Sequence, residues 1–193
     1  VKNSKNQKEI LRIEKHFITE EEAKQISDYI IETEDYVKSL GPDTYPGTSE
    51  DSLTGRHSVF NYLYMEPMGS ILVPKFKDLF GKCTINCWAN IFRRGEGIAP
   101  HQHQPEHLTD NVSQTFAGNI FLSGPPISTS FDIDVPENHF PGTFTYFNSD
   151  VKHWVEPNNT DELRVTIAFN IFQKNVLPYL GMRYQNDVGH YRI

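Results

Sequence analysis

The sequence is poor in cysteine, with only Cys83 and Cys87 among 193 residues. Two thiols cannot make a disulfide framework for a chain of this size. If they share one strand, four residues place their Cα atoms about 13 Å apart, beyond the reach of a disulfide. Both are therefore expected as buried free thiols in a reducing compartment. Long apolar runs are also missing. Nothing approaches the roughly 18 apolar residues of a membrane span, and the polar opening Val1-Lys2-Asn3-Ser4-Lys5 is unlike a secretory signal. A cytoplasmic protein without a membrane partner is expected, although Val1 is no natural start and leaves upstream residues, a removed signal among them, open. Positive charge is scarce, since 18 Lys and Arg face 25 Asp and Glu for a formal net charge of -7. That balance offers no footprint for sequence-independent nucleic-acid binding. Repeats and low-complexity segments are absent.

What is present reads as an ordinary globular composition, 37% hydrophobic and 22% charged. The length suits one domain with a sizeable core. We expect a helical N-terminal support and loop over 1–82, a β core over 83–173 and a C-terminal extension over 174–193. Thr19 followed by Glu22 forms a capping-box pattern, and Ala23, Ile26 and Ile30 recur on one face, which predicts a helix from about Glu20 to Glu32. The Gly, Pro, Ser and Thr content of 41–49 predicts a loop, within a Leu40 to Ser58 segment that is either a lid or a plain connector. Leu72, Phe76, Leu79 and Phe80 make a second helical stripe that stops at Gly81, with Pro74 placed near its first turn. Beyond Gly81, β-branched and aromatic residues arrive in short runs. They predict strands near Thr84 to Arg93, Ile98 to Gln104, Thr115 to Leu122, Ser128 to Ile133, Gly142 to Phe147, Lys152 to Val155 and Arg164 to Phe172. Short strands preceded by helices that can cover an outer face argue for a sandwich or jelly roll.

His101-Gln102-His103 is the sharpest local feature, because alternate residues of a strand point to one side and two imidazoles could converge on one ion. A third histidine, His153, and a lone cation, Arg164, lie further along the β half. Neutral imidazole suits iron, zinc and copper. Trp88 and Trp154 read as core or pocket wall. His16, His57, His107, His139 and His190 carry no spacing argument and are expected to face solvent.

Spacing as well as residue type now resembles a family. Phe92-Arg93-Arg94-Gly95, then Ile98, then Pro100-His101-Gln102-His103, resembles the metal-binding segment of the iron(II), 2-oxoglutarate-dependent oxygenases, in the prolyl-4-hydroxylase branch. Pro141 to Phe147 followed by Val151-Lys152-His153-Trp154-Val155 looks like that family's strand, turn and distal histidine. Arg164-Val165-Thr166 falls 11 residues after His153, where the family places the residues that bind the far carboxylate of 2-oxoglutarate, and the gap of 52 residues from His101 to His153 is also typical. The likeness covers about Cys87 to Phe172. It implies a mostly β fold with N-terminal helices, a double-stranded β-helix of the cupin or jelly-roll type. It further implies iron(II) held by His101, His103 and His153, 2-oxoglutarate bound by Arg164 and Thr166, and molecular oxygen as the other substrate.

One position departs from the pattern, since His103 stands where the family has a carboxylate. Either His103 is the third ligand, or a carboxylate of the following loop, Asp110 or Glu106, completes the site. Asn90 lies 11 residues before His101, where the nucleic-acid dealkylating branch has an asparagine that binds the co-substrate, and Asn170 lies six after Arg164 on the same strand face. Each binds co-substrate or satisfies buried backbone. Two other classes stay open: a three-histidine cupin without 2-oxoglutarate, and a metal-free β-sandwich binding module. Only Arg56, Arg93 and Arg94 offer local positive charge near the mouth, so a peptide side chain or a small molecule is the expected substrate.

Overall fold

Residues 11–40, 53, 60–103, 115–173 and 191–193 are described by the computed structural model. The first helix, α1, spans Glu20–Glu32, and its capping box is complete. Thr19 Oγ1 accepts the Glu22 N–H at 3.1 Å, while the Glu22 carboxylate accepts the Thr19 N–H at 2.8 Å. A short helix not anticipated from sequence, α2 (Glu34–Ser39), follows directly. Glu34 there accepts both terminal nitrogens of Arg93, at 3.0 and 2.8 Å, which ties the helices to the sheet. Burial opposes the charge of Glu34, but Arg93 and Lys38 outweigh that and hold its carboxyl below the ordinary value.

The stripe of the third helix belongs to α3, Met68–Phe80, which begins earlier than the sequence suggests. Pro74 therefore sits in the helix interior and not near the first turn. Met68, Leu72 and Phe76 are fully buried on one face, and this packing outweighs the ladder hydrogen bond that Pro74 cannot donate.

Two antiparallel sheets follow. The larger has the order β1-β6-β4-β8-β2-β9 and the smaller β3-β7-β5. Their strands are β1 (Leu11–Glu14), β2 (Cys83–Phe92), β3 (Ile98–His101), β4 (Thr115–Ser123), β5 (Thr129–Phe131), β6 (Phe144–Asn148), β7 (His153–Val155), β8 (Arg164–Gln173) and β9 (Tyr191–Arg192). All seven anticipated strands are present. The one expected to reach Gln104 stops at His101, and the edge strands β1 and β9 come as additions. β9 lies in the C-terminal extension and pairs with Thr84 and Ile85.

The period of two sorts the large sheet into two unlike faces. Cys83, Ile85, Cys87, Ala89 and Ile91 of β2 join Val165, Ile167, Phe169 and Ile171 of β8 in one core with Ile26, Ile30, Met68, Leu72 and Phe76 of the helices. Cys83 and Cys87 are buried free thiols, as expected. The opposite face carries Asn86, Trp88, Asn90 and Phe92, in register with Asn170, Ala168, Thr166 and Arg164. That face looks at the small sheet. The bond from Asn119 to Thr129 joins β4 to the first residue of β5, and that from Arg164 to Ile127 joins β8 to the segment leading into β5. The described strands face one another as two sheets and form no closed barrel. Of the Leu40 to Ser58 segment, all but Leu40 and Leu53 lie outside the described residues.

Candidate metal centre

His101 ends β3 and His153 begins β7, and the two are register partners. His103 lies past the strand end, so strand alternation does not place it. Its backbone N–H donates to the Ser149 carbonyl at 2.8 Å instead, and its ring stacks on Trp88 with centroids 5.9 Å apart. Each imidazole donates from Nδ1. His101 donates to the Ala99 carbonyl at 2.9 Å, His153 to the Val151 carbonyl at 3.0 Å and His103 to the Asn170 side-chain oxygen at 2.6 Å. With Nδ1 carrying the hydrogen, each neutral ring presents its Nε2 lone pair. One ligand nitrogen from each ring lies within 4.8 Å of the others.

This donor set fits a divalent metal ion. The His101 and His103 Nε2 atoms are 3.0 Å apart, a separation that a shared proton or a common metal ion accommodates. Two nitrogen ligands at right angles, with bonds of about 2.1 Å, are separated by about 3.0 Å. Anchoring each ring through its second nitrogen is how metal-binding histidines are oriented.

His153 is the most enclosed of the three, packed at 4.5 Å between ring centroids against Phe147. Burial, then the neighbouring His103 and His101, push its pKa down to about 3. An ordinary imidazole titrates near 6.5, so the folded state disfavours the proton. Stability from this group is complete above about 6.5 and is lost as pH falls toward about 3. Metal-free protein is expected to show a melting temperature that declines across this window, with the decline reduced in His153→Phe. An unchanged slope in that variant would remove His153 as the cause.

At the far end of the same face of β8, six residues and roughly 20 Å of strand from Asn170, Arg164 is 1% exposed. Its Nε donates to the Ile127 carbonyl at 3.0 Å, and its guanidinium lies 5.3 Å from the Phe92 ring centroid and 5.4 Å from that of Phe121. No carboxylate pairs with it among the described residues, and burial lowers its pKa to about 10. A buried cation without a counter-charge costs several kcal/mol. Gly124, at φ +108°, lets the chain pass here, since a Cβ would come within 2.7 Å of the Arg164 Cα. Between Arg164 and Asn170, Thr166 Oγ1 accepts a hydrogen bond from Asn90 Nδ2 at 3.2 Å.

Several expectations shift. Asn170 meets His103, not backbone. Arg93 pairs with Glu34 and Arg94 with Asp161 at 3.1 Å, so neither is an uncommitted positive charge. His139 is half-buried and bonded to Ser128, whereas His16 faces solvent. Arg56, His57, Glu106, His107, Asp110 and His190 lie outside the described residues. Trp154 donates to Glu156 at 2.8 Å.

No family model matches the sequence, and no curated protein is similar to it in sequence. Solved structures are similar. A Pseudomonas putida prolyl-4-hydroxylase superposes with a TM-score of 0.53, covering 86% of this chain and 94% of its own at 12% identity. SnoK, a non-heme α-ketoglutarate-dependent carbocyclase from nogalamycin biosynthesis, reaches 0.57 over 84% of this chain and 79% of its own at 11% identity. The fold is that of the non-heme 2-oxoglutarate-dependent oxygenases. HygX from Streptomyces hygroscopicus, solved with nickel and 2-oxoglutarate bound, shares this oxygenase fold at a TM-score of 0.55, over 85% of this chain and 82% of its own at 10% identity. A fold hosts many chemistries, so the argument for activity rests on the site's own groups. No helix among the described residues is long and apolar enough to cross a membrane.

Proposed function

We propose that this chain is an iron(II)- and 2-oxoglutarate-dependent oxygenase, a single jelly-roll domain that hydroxylates a peptide side chain or a small molecule. The observation that carries the reading is one pocket face with a ligand nitrogen from each of three histidines brought together and, further along it, a buried guanidinium that no carboxylate among the described residues pairs with. A metal and a dianion answer these two needs together.

His101, His103 and His153 would hold the iron, and Arg164 the far carboxylate of the co-substrate. Once bound, these supply oxidising power: 2-oxoglutarate loses carbon dioxide to become succinate as molecular oxygen is reduced, and one oxygen atom enters the substrate. Three neutral imidazoles leave a divalent ion its full charge, which one 2-oxoglutarate dianion neutralises. Arg164 suits a carboxylate because its planar fork offers two parallel donors. Phe92 and Phe121 flank that fork and keep water from competing for it. Thr166 and Asn90 would complete the co-substrate pocket through their polar side chains. A three-histidine cupin that ignores 2-oxoglutarate leaves the Arg164 charge unanswered, and a metal-free binding module gives no reason for three imidazoles to gather at one point.

Anaerobic titration tests the reading. Iron(II) with 2-oxoglutarate is expected to give the visible metal-to-ligand charge-transfer band. Iron binding without the band favours the cupin alternative, and no binding favours the metal-free module. The odd ligand has its own test: His103→Asp is expected to retain or raise uncoupled 2-oxoglutarate decarboxylation, whereas His103→Ala weakens metal binding. If His103→Ala binds iron like the parent and Asp110→Ala does not, the loop carboxylate is the third ligand.

A further inference from the structure

We infer that Asn170 is the positioning residue that makes His103 a metal ligand, its side-chain carbonyl fixing the Nδ1–H tautomer so that Nε2 faces the centre shared with His101 and His153. The inference rests on the oxygenase reading and adds to it the group that lets a histidine serve at the carboxylate position.

His101 and His153 find their Nδ1 acceptors locally, each on the backbone carbonyl two residues earlier, Ala99 and Val151. His103 has left the strand, and its Nδ1 bonds to a side chain. Its acceptor comes from the opposite sheet, 67 residues along the chain, at 2.6 Å, the shortest of the three Nδ1 bonds. Asn170 lies on the pocket face of β8 between Phe169 and Ile171, both fully buried in the helix-side core. The strand therefore fixes where its amide stands. Its neighbours on the pocket face of β8 are Ala168, opposite Trp88, and Phe172.

The residue type also matters. An amide oxygen accepts from Nδ1–H as a carboxylate would, yet adds no charge to a site whose other ligands are neutral. With Oδ1 turned to the ring at 2.6 Å, the amide accepts from Nδ1–H and leaves Nε2 for the metal. An apolar residue would remove this acceptor from Nδ1 and with it the preference for a metal-facing Nε2 lone pair.

The test uses cobalt(II) alone, added anaerobically to the metal-free full chain and followed by calorimetry and by its visible ligand-field spectrum. Asn170→Leu is expected to bind cobalt about 10- to 100-fold more weakly, with an altered spectrum. Asn170→Ala covers the case in which leucine disturbs the sheet. Asn170→Asp keeps an acceptor and is expected to bind cobalt at least as tightly as the parent. In a double-mutant cycle, His103→Ala with Asn170→Leu should bind no more weakly than His103→Ala alone, because Asn170 acts only through that ring. A merely structural bond would instead give additive losses and no rescue by aspartate. Parent-like affinity and spectrum in both Asn170→Leu and Asn170→Ala overturn the inference while leaving the oxygenase reading intact. A parent that takes up no cobalt defeats the oxygenase reading itself.

Discussion

His153→Ala is expected to abolish tight iron(II) binding and 2-oxoglutarate turnover while the chain stays folded. Losing a partner that merely orients a ligand costs about 10- to 100-fold in metal affinity, and removing the ligand itself exceeds that. The fold should survive because His153 belongs to the pocket side, where its neighbours are Phe147 and Phe131, and not to the large core shared by the helices and β8. Truncation there is expected to cost about 1–3 kcal/mol, the ordinary range for a single buried change. Calorimetric iron titration beside a thermal melt separates the two effects. Parent-level iron affinity in a folded variant would sink the assignment of His153 as a ligand.

The second large effect falls on Arg164→Met, and it should split three measurements. Affinity for 2-oxoglutarate is expected to fall at least tenfold, because a charge-assisted carboxylate bond of about 1.5–3 kcal/mol or more disappears. Iron affinity should stay near the parent value, since no histidine touches this side chain among the described contacts. Stability without co-substrate should rise. Methionine keeps an unbranched stem between Phe92 and Phe121 while removing a buried charge that no carboxylate among the described residues balances, and such replacements are often neutral or stabilising. A melting temperature that drops sharply, with metal and co-substrate affinity falling equally, would make Arg164 a folding residue instead.

Much of this architecture was legible without coordinates. The capping box of α1, the stripe of α3 and seven strands follow from local periodicity, which reports how a segment buries one of its faces. The convergence of His101 and His153 was legible from motif spacing, and the structure pairs them in register. Their companion His103 lies beside them in the structure, but not for the reason expected. Alternation within β3 does not reach it, and the Ser149 carbonyl and the Asn170 amide place it instead.

Sequence by itself determined the layers, the two unlike faces of the large sheet and the residue types available to each, because those depend on neighbours two to four positions away. Tertiary structure alone decided which of those residues meet. The edges β1 and β9, the interior position of Pro74, the tie between Arg93 and Glu34, and the bond from His103 to Asn170 all join or depend on segments far apart in the chain. Such contacts are set by how the sheets pack and pair, and their partners are tens of residues away, where no local pattern reaches. Arg164 shows both limits at once: its place on the strand is written in the period of two, but its burial beside Ile127, Phe92 and Phe121 exists only once the sheets face one another.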